Sequence, residues 1–164
     1  MDISQYVVGA EGIDALSAYQ ISNFFRLHQS FTKDDCDSMA GRIIGCSVTP
    51  TLVQGQTSYT VEAASADRPS AAKVVQFRRS PLSLDMMEQA RQTYTGFVPS
   101  CNAAGTLGDV YVYEMDLVTG LAFSRARHPL FGCLSEQRPA RTVQDLARFA
   151  AKGRPPPGHV PVPC

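Results

Sequence analysis

The chain changes its hydrophobic rhythm several times, and each change predicts an element. Between residues 11 and 29, Ile13, Leu16, Tyr19, Phe24 and Leu27 recur at helical spacing, with Ile21 and Phe25 widening the stripe. Ser30-Phe31-Thr32 breaks that pattern. Thr32 followed three residues later by Asp35 has the form of a capping box and predicts a second short helix from Lys33 to about Arg42. From Ile43 the period shortens. Ile43-Ile44-Gly45-Cys46-Ser47-Val48 predicts a strand stopped by Pro50, followed by a glycine turn at Gln54-Gly55-Gln56. Ser58-Tyr59-Thr60-Val61-Glu62 alternates as a strand, with Tyr59 and Val61 on one face. Residues 64–72 form a polar turn, and Lys73-Val74-Val75-Gln76-Phe77-Arg78 predicts the next strand.

Pro81 stands at a helix start, and Leu84, Met87, Ala90 and Tyr94 predict a helix over Leu84 to Tyr94. Gly105 and Gly108-Asp109 read as turn residues ahead of Val110-Tyr111-Val112-Tyr113-Glu114-Met115, the clearest strand in the chain. Gly120 closes the segment after it. Thr142 to Ala151 predicts a last helix with Val143, Leu146, Ala147 and Ala150 on one face. The proline-rich stretch 153–164 predicts a disordered tail, because prolines remove backbone donors and hold the chain near polyproline geometry.

Composition narrows what such a chain can do. Its 164 residues are 44% hydrophobic, enough for a real core. Fifteen basic and fifteen acidic side chains cancel to a net charge of zero, which gives no overall attraction to nucleic acid or to an anionic membrane. No apolar stretch approaches the roughly 20 residues of a membrane-spanning helix, and Met1-Asp2-Ile3-Ser4-Gln5 lacks the features of a signal peptide. The expectation is a cytoplasmic protein whose partners include neither nucleic acid nor membrane. The five cysteines are spread out, without a CxxC pair or a histidine at ligand spacing. Free, mostly buried thiols are expected, and no zinc site.

The predicted order is strand, glycine turn, strand, strand, helix, strand, strand, linker and helix: one antiparallel sheet with a helix inserted after the third strand. That is the layout of a kinase small lobe. Ser58-Tyr59-Thr60-Val61, Val74-Val75-Gln76-Phe77-Arg78, Met87-Glu88-Gln89-Ala90-Arg91 and Val112-Tyr113-Glu114-Met115-Asp116-Leu117-Val118-Thr119-Gly120 carry a resemblance across residues 40–151. The chain resembles the fungal branch of the aminoglycoside phosphotransferase-like proteins, relatives of choline kinases and protein kinases.

The resemblance implies an α+β fold: a five-stranded antiparallel sheet with one packed helix, preceded by two N-terminal helices. It divides the chain into a helical extension (1–42), the lobe (43–120), a linker with the start of a large lobe (121–152) and the tail. It also assigns roles. The turn at Gly55 would lie over nucleotide phosphates, or be a plain hairpin turn. Arg78 would face the α- and β-phosphates, with Arg79 as the rival cation, and Glu88 would orient it, unless Arg78 and Glu88 are ordinary surface charges. Glu114-Met115-Asp116 would form the hinge whose backbone faces adenine, with Glu114 and Met115 as binding residues, while Tyr111, Tyr113 and Met115 would serve equally as sheet core.

Phosphoryl transfer in such a family needs an aspartate base in a His-Gly-Asp loop and a second acidic residue for magnesium. His28, His128 and His159 open no such loop, and Asp109, Asp116 and Asp145 read as solvated surface groups. No catalytic residue is therefore assigned. The chain is expected to be a truncated kinase-like domain that binds ATP weakly and holds no magnesium without a large lobe. Two alternatives stand beside this: a phosphotransferase for a small hydroxylated or aminated molecule, completed by a missing large lobe, and a protein-interaction module that pairs with a partner or with itself through the exposed lobe face.

Overall fold

The computed structural model describes residues 9–64, 72–118 and 137–153. Within them lie four helices and five strands: α1 (Gly9–Leu27), α2 (Lys33–Ile44), β1 (Val48–Pro50), β2 (Ser58–Ala63), β3 (Lys73–Arg78), α3 (Leu84–Thr93), β4 (Cys101–Leu107), β5 (Val110–Asp116) and α4 (Gln137–Lys152). The strands form one antiparallel sheet in the order β1-β2-β3-β5-β4. This is the expected α+β architecture, with a helix between the third and fourth strands and two helices ahead of the sheet. Gly120 and the tail beyond Gly153 lie outside the described residues, as does most of the predicted 64–72 turn.

Two compact units are distinguished. One comprises residues 1–87 and 99–117, the other residues 88–98 and 118–164. In the first, α1 and α2 cover one face of the sheet. Phe24, Phe31, Cys36 and Ala40 from the helical side meet Tyr59, Val61, Val75, Phe77, Val110 and Val112 in a buried cluster. Strand side chains alternate, so these residues occupy alternate positions along β2, β3 and β5. Burying each large apolar side chain stabilises the fold by about 1.5–3 kcal/mol.

The same cluster decides where α2 ends. Its N-terminus is fixed by the Thr32–Asp35 capping box, and from that register Ile43 and Ile44 fall on the stripe facing the core. They therefore finish the helix instead of opening a strand. Gly45 terminates it in the left-handed region at φ 86°, its N–H bonded to the Gly41 carbonyl, and β1 begins later, at Val48. A second correction concerns Gly105. It is a residue of β4 at φ 113°, where the register slips between Ala103 and Gly105 in a β-bulge, and the turn is left to Gly108-Asp109. α4 starts at Gln137, earlier than predicted, because Pro139 falls in its first turn, where a missing N–H costs no helical bond.

The Gly108-Asp109 turn docks onto the corner between α1 and α2. Asp109 accepts hydrogen bonds from Ser30 Oγ at 2.7 Å and lies 2.7 Å from His28 Nδ1, while His28 stacks on Phe31 and tilts against Phe24. Asp109 is thus more than a solvated turn residue, although its side chain stays 55% exposed. Bonds from Ser30 and then His28 hold its carboxyl below the usual range.

In the second unit, Tyr94 stacks on Phe149 with ring centres 4.2 Å apart, and Phe97 meets Phe149 edge-on at 5.7 Å. In α3, Leu84, Met87 and Ala90 are half-buried along one stripe, and none of its residues, all of them described, is fully buried.

The corner contact yields a stability prediction. Gly108 has φ 55°, and a methyl group there would overlap Ser30 Oγ and come within 2.9 Å of Phe31. Gly45 has φ 86° with nothing near it. Gly45→Ala should therefore cost about 1–2 kcal/mol for backbone strain alone. Gly108→Ala should cost more than Gly45→Ala, since it adds displacement of the corner. Urea unfolding of both variants measures the difference, and equal losses would show that the corner yields freely.

Candidate functional site

The face of the sheet opposite the core cluster is built differently. Ser58 and Thr60 of β2, Gln76 and Arg78 of β3, and Tyr111 and Tyr113 of β5 stand in register across three neighbouring strands. Gln76 Nε2 donates to Thr60 Oγ1 at 3.1 Å and to Ser58 Oγ at 3.5 Å. Arg78 Nη1 donates to Gln76 Oε1 at 3.2 Å. Tyr113 Oη accepts the backbone N–H of Leu82 at 2.9 Å, so the chain leaving β3 closes over part of this face. A polar ladder results, with one donor left over. Arg78 Nε is buried and has no hydrogen-bond partner among the described residues.

The expected site residues join this ladder to different degrees. Gly55 lies in the turn between β1 and β2, bridged to Ser58, and a side chain on it would collide with Ser58 Oγ. Its smallness therefore serves a contact inside the turn. The buried Gln54 closes the same turn: its carboxamide donates to the carbonyls of Thr51 at 2.9 Å and Thr60 at 2.8 Å and accepts the Thr60 N–H at 3.0 Å. Arg78 follows two rungs away through Ser58 and Gln76. Arg79 is exposed beside it. Met115 shares the ladder face, paired with Val74 and Cys101. Burial raises the Cys101 thiol above its ordinary pKa, and the Arg78 charge pulls in the opposite direction.

Glu114 and Asp116 project to the other face, where Lys73 lies 3.5 Å from Glu114 and 2.7 Å from Asp116. Glu88 is placed in the second unit and is engaged along its own helix, by Arg91 at 2.7 Å and Gln92 at 3.0 Å. Those bonds lower its carboxyl. Gln54, Thr60 and Gln76 escaped the sequence reading. A glutamine inside the β-branched run of β3 was the available signal, since one polar residue at that position marks a face that apolar side chains do not cover.

No group of three or more His, Cys, Asp or Glu side chains is arranged to hold a metal ion among the described residues, and no described helix is long and apolar enough to cross a membrane. No family model matches the chain, and neither do any curated protein or solved structure. The ladder's own chemistry therefore carries its assignment. It presents hydroxyls, a carboxamide and a guanidinium, a donor-rich surface suited to phosphate or another oxyanion.

The end of β5 makes a pH prediction. Lys73, then Ser100, bond the Asp116 carboxylate and lower its pKa from an ordinary 3.8 to about 2. A carboxyl depressed in the folded state stabilises the protein above its unfolded pKa and loses that contribution as pH falls through the folded one. Asp116→Asn should flatten the acid limb of stability between about pH 4 and pH 2, read from urea unfolding across that range. An unchanged slope would mean that the Lys73 contact contributes nothing in solution.

Proposed function

We propose that the chain is a kinase-like small lobe whose ladder face receives nucleotide phosphates at Arg78, and that it does not transfer phosphate by itself. The observation that carries this reading is Arg78 Nε, a buried guanidinium donor without a partner among the described residues, at the end of the third strand. A buried unsatisfied donor costs about 1–3 kcal/mol, which an anionic oxygen would recover. The order of elements, with a helix inserted between the third and fourth strands, supports the same reading. The noncatalytic part of the proposal is supported by the sequence. None of His28, His128 and His159 is followed by Gly-Asp, and two aspartates of the sheet unit are held by structural partners: Asp109 by His28 and Ser30, Asp116 by Lys73 and Ser100.

Binding should be weak. The other ladder groups already bond one another, so Arg78 has little help in holding a triphosphate. ATP affinity near millimolar, about 4 kcal/mol, is expected. Titrating ATP with and without magnesium while following amide resonances should shift those of β3 and the 54–58 turn, and Arg78→Ala should remove the shifts. Magnesium-dependent phosphotransfer that survives repurification would overturn the noncatalytic reading, and shifts that persist in Arg78→Ala would overturn the site.

A further inference from the structure

Charge in this chain is balanced in total but not in place. α4 holds four basic residues, Arg138, Arg141, Arg148 and Lys152, against a single acid, Asp145. In sequence these five follow one another at alternating spacings of three and four, the repeat of a single helical stripe. Val143, Leu146, Ala147 and Ala150 recur on the opposite side at the same spacings. The structure leaves that apolar side open: Val143 is 65% and Leu146 63% exposed, and both alanines are exposed. At the helix end Phe97, itself 63% exposed, packs edge-on against Phe149 and lies under Lys152 Nζ, 5.5 Å from its ring centre.

We propose that α4 is a membrane-surface helix that docks in the interface of anionic lipid bilayers. A helix with one cationic side, one apolar side and little overall hydrophobicity gains on both counts there, since headgroups attract the cations while the acyl boundary takes the apolar strip. Charge complementarity selects this occupant, and the make-up of the strip separates it from an acidic protein groove. A protein groove is read through large anchor side chains seated in fitted pockets. The large aromatic of α4, Phe149, is already stacked on Tyr94, and what remains free is a smooth strip of valine, leucine and alanine. A fluid boundary accepts such a strip without fitted pockets. The zero net charge of the whole chain conceals this, because attraction to a charged surface falls off within a Debye length and depends on the segment that touches it. The proposal is independent of nucleotide binding.

The test uses the full chain and sedimentation with vesicles of phosphatidylcholine containing about one third phosphatidylserine, against phosphatidylcholine alone. Binding is expected for the anionic vesicles, and it should fall steeply in 0.5 M salt, a condition that screens roughly all contacts beyond 4 Å. Arg148→Glu combined with Lys152→Glu should weaken it about tenfold or more. Leu146→Asp should abolish it, and circular dichroism should show the fold unchanged because Leu146 is exposed. Failure to bind anionic vesicles at low salt overturns the proposal, as does binding that is indifferent to these variants. Sedimentation velocity covers the remaining occupant. A mass that rises with concentration and returns to monomer in Leu146→Asp, without lipid binding, would assign the strip to a second copy of the chain instead.

Discussion

Two segments 81 residues apart are joined at a single carboxylate, and the layering of the sheet unit depends on it. Asp109, at the tip of the β4–β5 turn, reaches both Ser30 and His28 at the corner between α1 and α2. The corner is close enough that a side chain at position 108 would push on Ser30 and Phe31, and glycine there adopts a left-handed backbone that other residues take up at a cost. His28 is almost fully buried between Phe24 and Phe31, so its hydrogen bond to Asp109 satisfies a ring nitrogen that would otherwise carry a desolvation penalty. The far turn held in this way adds to the buried cluster that keeps both helices on the same face as Tyr59, Val75 and Val112.

That placement has a consequence for the other face. A sheet covered on one side by apolar packing can afford polar residues on its second side, provided they satisfy one another. Gln76 does this work between Thr60, Ser58 and Arg78, and Tyr113 takes the Leu82 amide. The bonds run along the ladder until they reach Arg78, whose Nε has nowhere further to go. The unsatisfied donor is thus the end of a network, and it stands where the strand ends.

Much of this was legible from the chain alone, for identifiable reasons. β3 was bounded correctly at Lys73 and Arg78 because β-branched residues fill it and polar segments flank it. The α2 start was legible because a capping box is a local chemical device. Its end was not: Ile43 and Ile44 suit a strand by propensity and were claimed for the helix by a core that sequence does not display. Gly105 misled in the same way, since a glycine in a bulge and a glycine in a turn look alike until the neighbouring strand sets the register. For the site, Arg78 could be found from its position at a strand end. Its partner Gln76, and the Thr60 and Ser58 that Gln76 bonds in turn, could not, because they depend on which residues lie opposite one another across the strand pairings.

The carboxylates show why net charge is a poor guide to surface behaviour here. In the sheet unit several of them serve as structural acceptors. Asp35 caps α2, Asp37 takes the Tyr59 hydroxyl and the Lys33 ammonium, Asp109 holds the corner, and Asp116 takes Lys73 and Ser100. Their charge is spent locally, within hydrogen-bond distance of donors. On α4 the balance is the reverse, with four cations sharing one acid and Arg148 reaching Asp145 only at an exposed 3.5 Å contact. Exposed pairs of that kind are worth a few tenths of a kcal/mol to about 1 kcal/mol and leave most of the field in place. A sum of zero over the whole chain therefore hides an uneven distribution, in which the acids named above lie beside donors while α4 carries four basic residues against one acid.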